Sequence, residues 1–142
     1  MKTELQNKLF KKYPKIFRQR KLSMRQTAMC WGIDCGDGWY ALIDELCGSI
    51  QRFVDCNKLD QVEAVQVKEK FGGLGFYVGS APEYIHGEIT FAEEISYLFC
   101  EDCGASPAGL DNKPGGWYRT LCEKCRTRLG NSETPSKSKK RQ

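Results

Sequence analysis

Two cysteine pairs, Cys100-Glu101-Asp102-Cys103 and Cys122-Glu123-Lys124-Cys125, stand eighteen residues apart. Two residues between paired cysteines let one tight turn aim both sulfurs at a point. Two such turns supply four thiolates at the distance of about 2.3 Å that tetrahedral zinc requires. The pattern predicts one zinc ion on Cys100, Cys103, Cys122 and Cys125. Gly104 comes directly after the first pair, where a knuckle needs positive φ, which glycine adopts without a Cβ clash. Two competing chemistries fit less well. Disulfides need an oxidising compartment, and no segment directs the chain to one. A thioredoxin-type redox site expects a single Cys-x-x-Cys beside a βαβ unit, whereas two pairs and no such unit are present.

The elements that must position these sulfurs can be read from periodicity. Leu5, Leu9 and Phe10 predict a helix over 3–12, which Tyr13-Pro14 stops. Ile16, Phe17 and Leu22 anchor a segment that exposes Lys15, Arg18, Arg20, Lys21 and Arg25. The stretch 30–40 reads as a turn-rich loop because it holds three glycines and two aspartates, with Asp37 placed to cap the helix after it. From Trp39 to Cys56, apolar residues at three- and four-residue intervals predict one long amphipathic helix. Residues 62–70 and 74–79 alternate as the strands of a hairpin turning at Phe71-Gly72-Gly73. Gly75 within it suggests close backbone approach or a bulge. Pro82 can open a helical turn, and Thr90-Phe91-Ala92-Glu93 has the form of a capping box, predicting a firmer helix from there to about Phe99. Trp117 to Leu121 reads as a short strand delivering Cys122.

The expected architecture is α+β: a helical core with the hairpin packed on the long helix, plus a C-terminal zinc ribbon. Its parts are a core over 1–99 with a basic N-terminal helix, the ribbon over 100–128, and a disordered basic tail over 129–142, rich in Ser, Lys and Thr. The 142 residues carry a net charge of +4 that conceals a segregation. Residues 1–25 hold nine Lys/Arg and one Glu, and 126–142 hold six Lys/Arg and one Glu, whereas 26–125 hold seven basic and sixteen acidic residues. The body is therefore acidic and both ends are basic. No stretch reaches the length of a membrane span, and the N-terminal segment lacks the apolar run of a signal peptide. A reducing, cytoplasmic setting is expected.

Other chemistry is weighed residue by residue. Cys47 and Cys56, nine residues apart on one helix, fall on opposite faces at about 100° per residue. They and Cys30 and Cys35 are read as core thiols, not as ligands of a second metal. His86 stands alone. Asp60 with Gln66-Val67-Lys68 is similar to the acid and (Asp/Glu/Gln)-x-Lys pattern of restriction-type nucleases, but Gln replaces the second metal-binding acid. Trp117, Tyr118 and Arg119 could stack on a base or enter a partner's groove; covering the zinc lobe is the favoured role for Trp117, and Arg119 stays open.

Three strings carry a resemblance: Met29-Cys30-Trp31-Gly32 with Cys35 to Tyr40, Val67 to Tyr77, and Gly116-Trp117 through Cys125. Across about Tyr13 to Cys125 the chain resembles a loose group of small uncharacterised proteins carried by bacteriophages and prophages. In such relatives an arginine commonly comes after the hairpin leucine, where this chain has Gly75. The resemblance implies expression in host bacterial cytoplasm and no established activity. By analogy with small phage accessory proteins that redirect host machinery, it implies an inhibitor of a host defence system. The favoured reading is a non-enzymatic, zinc-stabilised module that binds a host or phage protein, such as a defence nuclease. The alternative partner is DNA or RNA, held by the basic ends and the ribbon. A metal-dependent nuclease is the least favoured reading.

Overall fold

The computed structural model describes residues 1–111 and 116–132. It is an α+β protein, with a three-stranded sheet, helices and a small cysteine-rich lobe at the end.

Helix α1 (Thr3–Lys12) buries Leu9 and Phe10 and ends at Tyr13, before Pro14. Ile16 and Phe17 are fully buried, so the basic segment is anchored as its apolar residues predict. Next come strand β1 (Ile33–Asp34) and helix α2 (Tyr40–Asn57), whose buried face is Ile43, Leu46, Cys47, Ile50 and Val54. The stripe matches the expected period. Asp37 does not cap α2: it lies in a 3-10 turn, Asp37–Trp39, and its Oδ1 accepts the Lys2 N–H at 2.7 Å, at the start of α1. That bond satisfies a donor at an end where no side chain caps the helix. At the other end of α2, Lys58 takes a left-handed conformation (φ 52°). The Leu59 N–H reaches the Val54 carbonyl at 3.0 Å and the Lys58 N–H the Asp55 carbonyl at 3.4 Å, closing a Schellman turn.

Strands β2 (Ala64–Lys70) and β3 (Gly73–Val78) form the hairpin, joined by Phe71-Gly72 alone. Strict alternation fails at one point. Ala64 pairs with Val78 and Gln66 with Tyr77, leaving Val65 in a bulge. The bulge shifts the phase, so that Ala64 and Val67, three residues apart, are both buried. The Val65 carbonyl accepts from the Thr27 hydroxyl at 3.2 Å. Gly75 is covered by a side chain, its missing Cβ lying 2.9 Å from Cε2 of Tyr77.

Strand β1 pairs parallel to β2, Ile33 with Val67 and Asp34 with Lys68, and so makes a third strand out of the expected loop. Helix α3 (Glu83–Ser96) begins seven residues before the expected capping box, on Pro82. Thr90 is therefore internal, and its hydroxyl donates to the His86 carbonyl at 2.9 Å. Glu93, the supposed box partner, accepts the Phe76 N–H at 2.8 Å, while Ser96 Oγ accepts the Leu74 N–H at 2.9 Å. Helix α3 thus closes the free edge of β3 with its own side chains.

The lobe holds β4 (Gly109–Asp111), β5 (Arg119–Leu121) and α4 (Glu123–Ser132). The expected strand over 117–121 is shorter by Trp117 and Tyr118. Of the tail assigned to 129–142, residues 129–132 continue α4, and the rest lies outside the described residues. So does the expected turn at 114–116, Gly116 excepted. The main core gathers around fully buried Trp39, Phe17 and Phe76, and the lobe has its own cluster of Cys100, Leu121, Cys122 and Cys125.

Lys58→Gly is expected to raise stability by about 0.5–1 kcal/mol, because glycine takes the left-handed conformation without a Cβ clash. A higher urea midpoint with an unchanged m-value is the measurement that checks it.

Candidate metal centre

Between α3 and the first cysteine, Leu98 and Phe99 make a turn stitched by N–H bonds to Ile95 and Ser96. Cys100 then opens a knuckle: its N–H donates to the Ala105 carbonyl at 2.9 Å, and the Gly104 N–H returns to the Cys100 carbonyl at 2.8 Å. Gly104 has φ 79°, as the knuckle requires. Strand β5 leads to Cys122, and Cys125 lies in the first turn of α4. The second cysteine pair is therefore held by a helical turn. The Cys125 N–H points at Cys122 Sγ (3.5 Å), as an N-capping group would receive it.

The four sulfurs lie within 4.8 Å of one another. Cys103 Sγ and Cys122 Sγ are 3.7 Å apart, which matches the edge of about 3.8 Å of a tetrahedron with metal–sulfur bonds near 2.3 Å. Cys100, Cys122 and Cys125 are buried and Cys103 is exposed. Burial pushes the Cys100 thiol up, but the N–H groups of Cys122, Cys103 and Asp102 outweigh it and bring the thiol down to about 7. Burial, then the neighbouring thiols, push Cys125 up. Crowded sulfurs share protons in this way, and a divalent cation would replace them. Arg128 ties the two halves together, its Nη2 standing 3.6 Å from Cys125 Sγ and pairing with Asp102 Oδ2. The donor set, spacing and burial fit a closed four-cysteine zinc site with no open position for substrate.

The contact that sequence reasoning missed lies behind the knuckle. Gly36 and Gly38 press their backbones against it. A Cβ on Gly38 would lie 2.0 Å from the Cys100 carbonyl oxygen and 2.4 Å from the Gly104 nitrogen, and one on Gly36 would lie 2.2 Å from the Glu101 carbonyl oxygen. The Gly38 N–H donates to the Glu101 carbonyl at 2.7 Å, and the Gly36 N–H to its carboxylate at 3.0 Å. Next in the chain, Trp39 Nε1 donates to the Phe99 carbonyl at 3.0 Å. Burial raises the Glu101 carboxyl above its usual range, against the Gly36 N–H and the charge of Arg119, whose Nε is 3.8 Å away. The signal in sequence was the Gly-Asp-Gly spacing, but nothing local told what approached it.

The structure also places the other expected residues. Trp117 does not cover the lobe: it is 87% exposed, because Leu121 and the cysteines already fill that small interior. Arg119 turns toward Glu101 and serves the knuckle. Lys15 and Lys21 are exposed; Arg18 forms a two-pronged pair with Glu63 (2.7 and 2.9 Å), and Arg20 lies over the Phe10 ring at 4.9 Å. Cys35 and Cys47 are core residues whose thiols burial pushes up, Cys35 to about 12. Cys56, expected in the core, is instead exposed, because it falls on the opposite face of α2, and Cys30 is only half-buried. His86 is exposed. Among the described residues, no other group of three or more His, Cys, Asp or Glu side chains gathers as the cysteines do, and Asp60 stands outside any such group. None of the helices among them is long and apolar enough to cross a membrane.

Compared with known proteins, the chain matches no family model, no curated protein and no solved structure.

One zinc per chain is expected from protein made in reducing cytoplasm, measured by elemental analysis, and none from Cys122→Ser. With free zinc a thousandfold above Kd, the metal adds about 4 kcal/mol. Chelation or Cys122→Ser should therefore lower Tm by roughly 15 °C, at about 4 °C per kcal/mol. Gly38→Ala, which puts a methyl group into the knuckle backbone, is expected to cut zinc affinity about tenfold or more, read by competition with a chromogenic chelator.

Proposed function

We propose that the protein is a non-enzymatic, zinc-stabilised binding module, an accessory protein of the phage-borne kind that acts by contact with a host or phage protein. The observation that carries the reading is the closed cysteine cluster: four sulfurs within 4.8 Å, tied by backbone contacts to the glycine loop. A site saturated by thiolates leaves the metal a structural task. The acidic body, with sixteen acidic against seven basic residues over 26–125, favours a partner with a basic face, such as a nucleic-acid-handling component of a bacterial defence system.

Affinity purification of the tagged chain from bacteria, with and without nuclease, tests this. A protein partner is expected to survive nuclease and to dissociate as salt rises. Metal-dependent cleavage of DNA or RNA by the purified chain, abolished by Asp60→Ala, would overturn the reading in favour of an enzyme.

A further inference from the structure

The tip of the hairpin carries a residue that folding does not explain. Phe71 sits in the β2–β3 turn at φ 51°, beside Gly72 at φ 85°. Two-residue turns of this hand favour asparagine, aspartate or glycine at the first position, and a bulky side chain there is strained. Burial does not compensate, since Phe71 is 69% exposed. Across from it, Trp117 is 87% and Tyr118 39% exposed. The three rings line one cleft of about 450 Å³ together with Lys68, Glu69 and Lys70. Lys68 and Lys70, two apart on β2, project from the same face of the sheet, and Lys70 Nζ rests 5.8 Å from the centroid of the Tyr77 ring, an exposed contact that a phosphate can displace. The one acid, Glu69, already receives the Gly72 N–H on Oε1 at 2.6 Å.

We propose that this cleft binds single-stranded nucleic acid, with bases stacking on Trp117 and Phe71 and backbone phosphates meeting Lys68 and Lys70. Exposed aromatic faces beside cations suit bases and phosphates together. Lysine, by contrast, is depleted from the centres of protein interfaces. A duplex hides its base faces and offers these rings nothing to stack on. The proposal rests on the binding-module reading and adds a second surface, separate in kind from the acidic body.

The test is fluorescence anisotropy of labelled oligo-dT and oligo-U of about 15 nucleotides, with a duplex of equal length, on the zinc-loaded full chain. Preference for the single strands is expected. Trp117→Ala should weaken binding about tenfold. The double change Lys68→Gln, Lys70→Gln should reduce the slope of log K against log salt by about 1.4. Phe71→Asn suits the turn, so it should leave Tm no lower while weakening binding, separating the ring's role from the fold. The proposal is overturned if single strands do not bind at low salt, if the duplex binds equally well, or if Trp117→Ala and Phe71→Asn bind as wild type does. Capture of a nuclease-resistant protein that is lost in Trp117→Ala, without oligonucleotide binding, also overturns it. The binding-module reading would survive that last result, because the purification experiment judges it separately.

Discussion

Four sulfur atoms within 4.8 Å of one another cannot all be anionic without a cation among them. That constraint reaches well beyond the lobe. A metal that fixes Cys100 and Cys103 also fixes the peptide units between them, and these carry the Glu101 carbonyl and carboxylate that hold Gly38 and Gly36. Trp39, next in the chain, is fully buried and bonded to Phe99, and α2 begins immediately after it. A metal there would thus act on the main core through backbone contacts too close for any side chain. A divalent cation on four thiolates leaves a net charge of −2, and Arg128 beside Cys125 Sγ offsets part of it.

Helix α3 serves the sheet and the lobe at once. An edge strand with unpaired N–H groups invites pairing with another chain, and the donors of Leu74 and Phe76 would form such an edge. Ser96 and Glu93 accept them instead, fixing α3 along β3. Because the same helix leads within four residues to Cys100, the sheet edge positions the knuckle along with any metal its cysteines hold. The opposite flank is closed by β1, where the Ile33 N–H donates to Gln6 Oε1 of α1 at 2.9 Å.

What could be read in the sequence was what local geometry decides. Cysteine spacing places sulfurs whatever the rest of the chain does, and α2 and the hairpin announce themselves by period. What could not be read depended on distant partners. Strand β1 is two residues long inside a glycine-rich stretch and exists only because Val67 and Lys68 lie beside it. The bulge at Val65 exists because β2 must bury both Ala64 and Val67. Thr90 to Glu93 has the letters of a capping box, but Glu93 is drawn to the sheet and helix formation continues back to Pro82. Trp117 is the opposite case: its size suggested burial, yet it stands exposed beside a lobe whose interior is made by Leu121 and the cysteines.

The aromatic cleft, finally, is joined to the metal centre by the same kind of contact that joins the knuckle to the core. Thr120, fully buried and two residues before Cys122, donates its hydroxyl to the Gly72 carbonyl at 2.6 Å. Its own carbonyl accepts the Glu101 N–H at 2.9 Å. Gly72 is closely covered, the position of a Cβ there lying 2.3 Å from Leu110 Cδ1. One threonine therefore links the strained turn that bears Phe71 to the strand that delivers a metal ligand and to the knuckle itself. A metal on Cys122 would tether β5 at its cysteine end, and the Thr120–Gly72 bond would carry that restraint to the hairpin tip. On this geometry a zinc ion on the four sulfurs would do more than stabilise the lobe: it would hold the two walls of the cleft, Phe71 on one and Trp117 and Tyr118 on the other, in register.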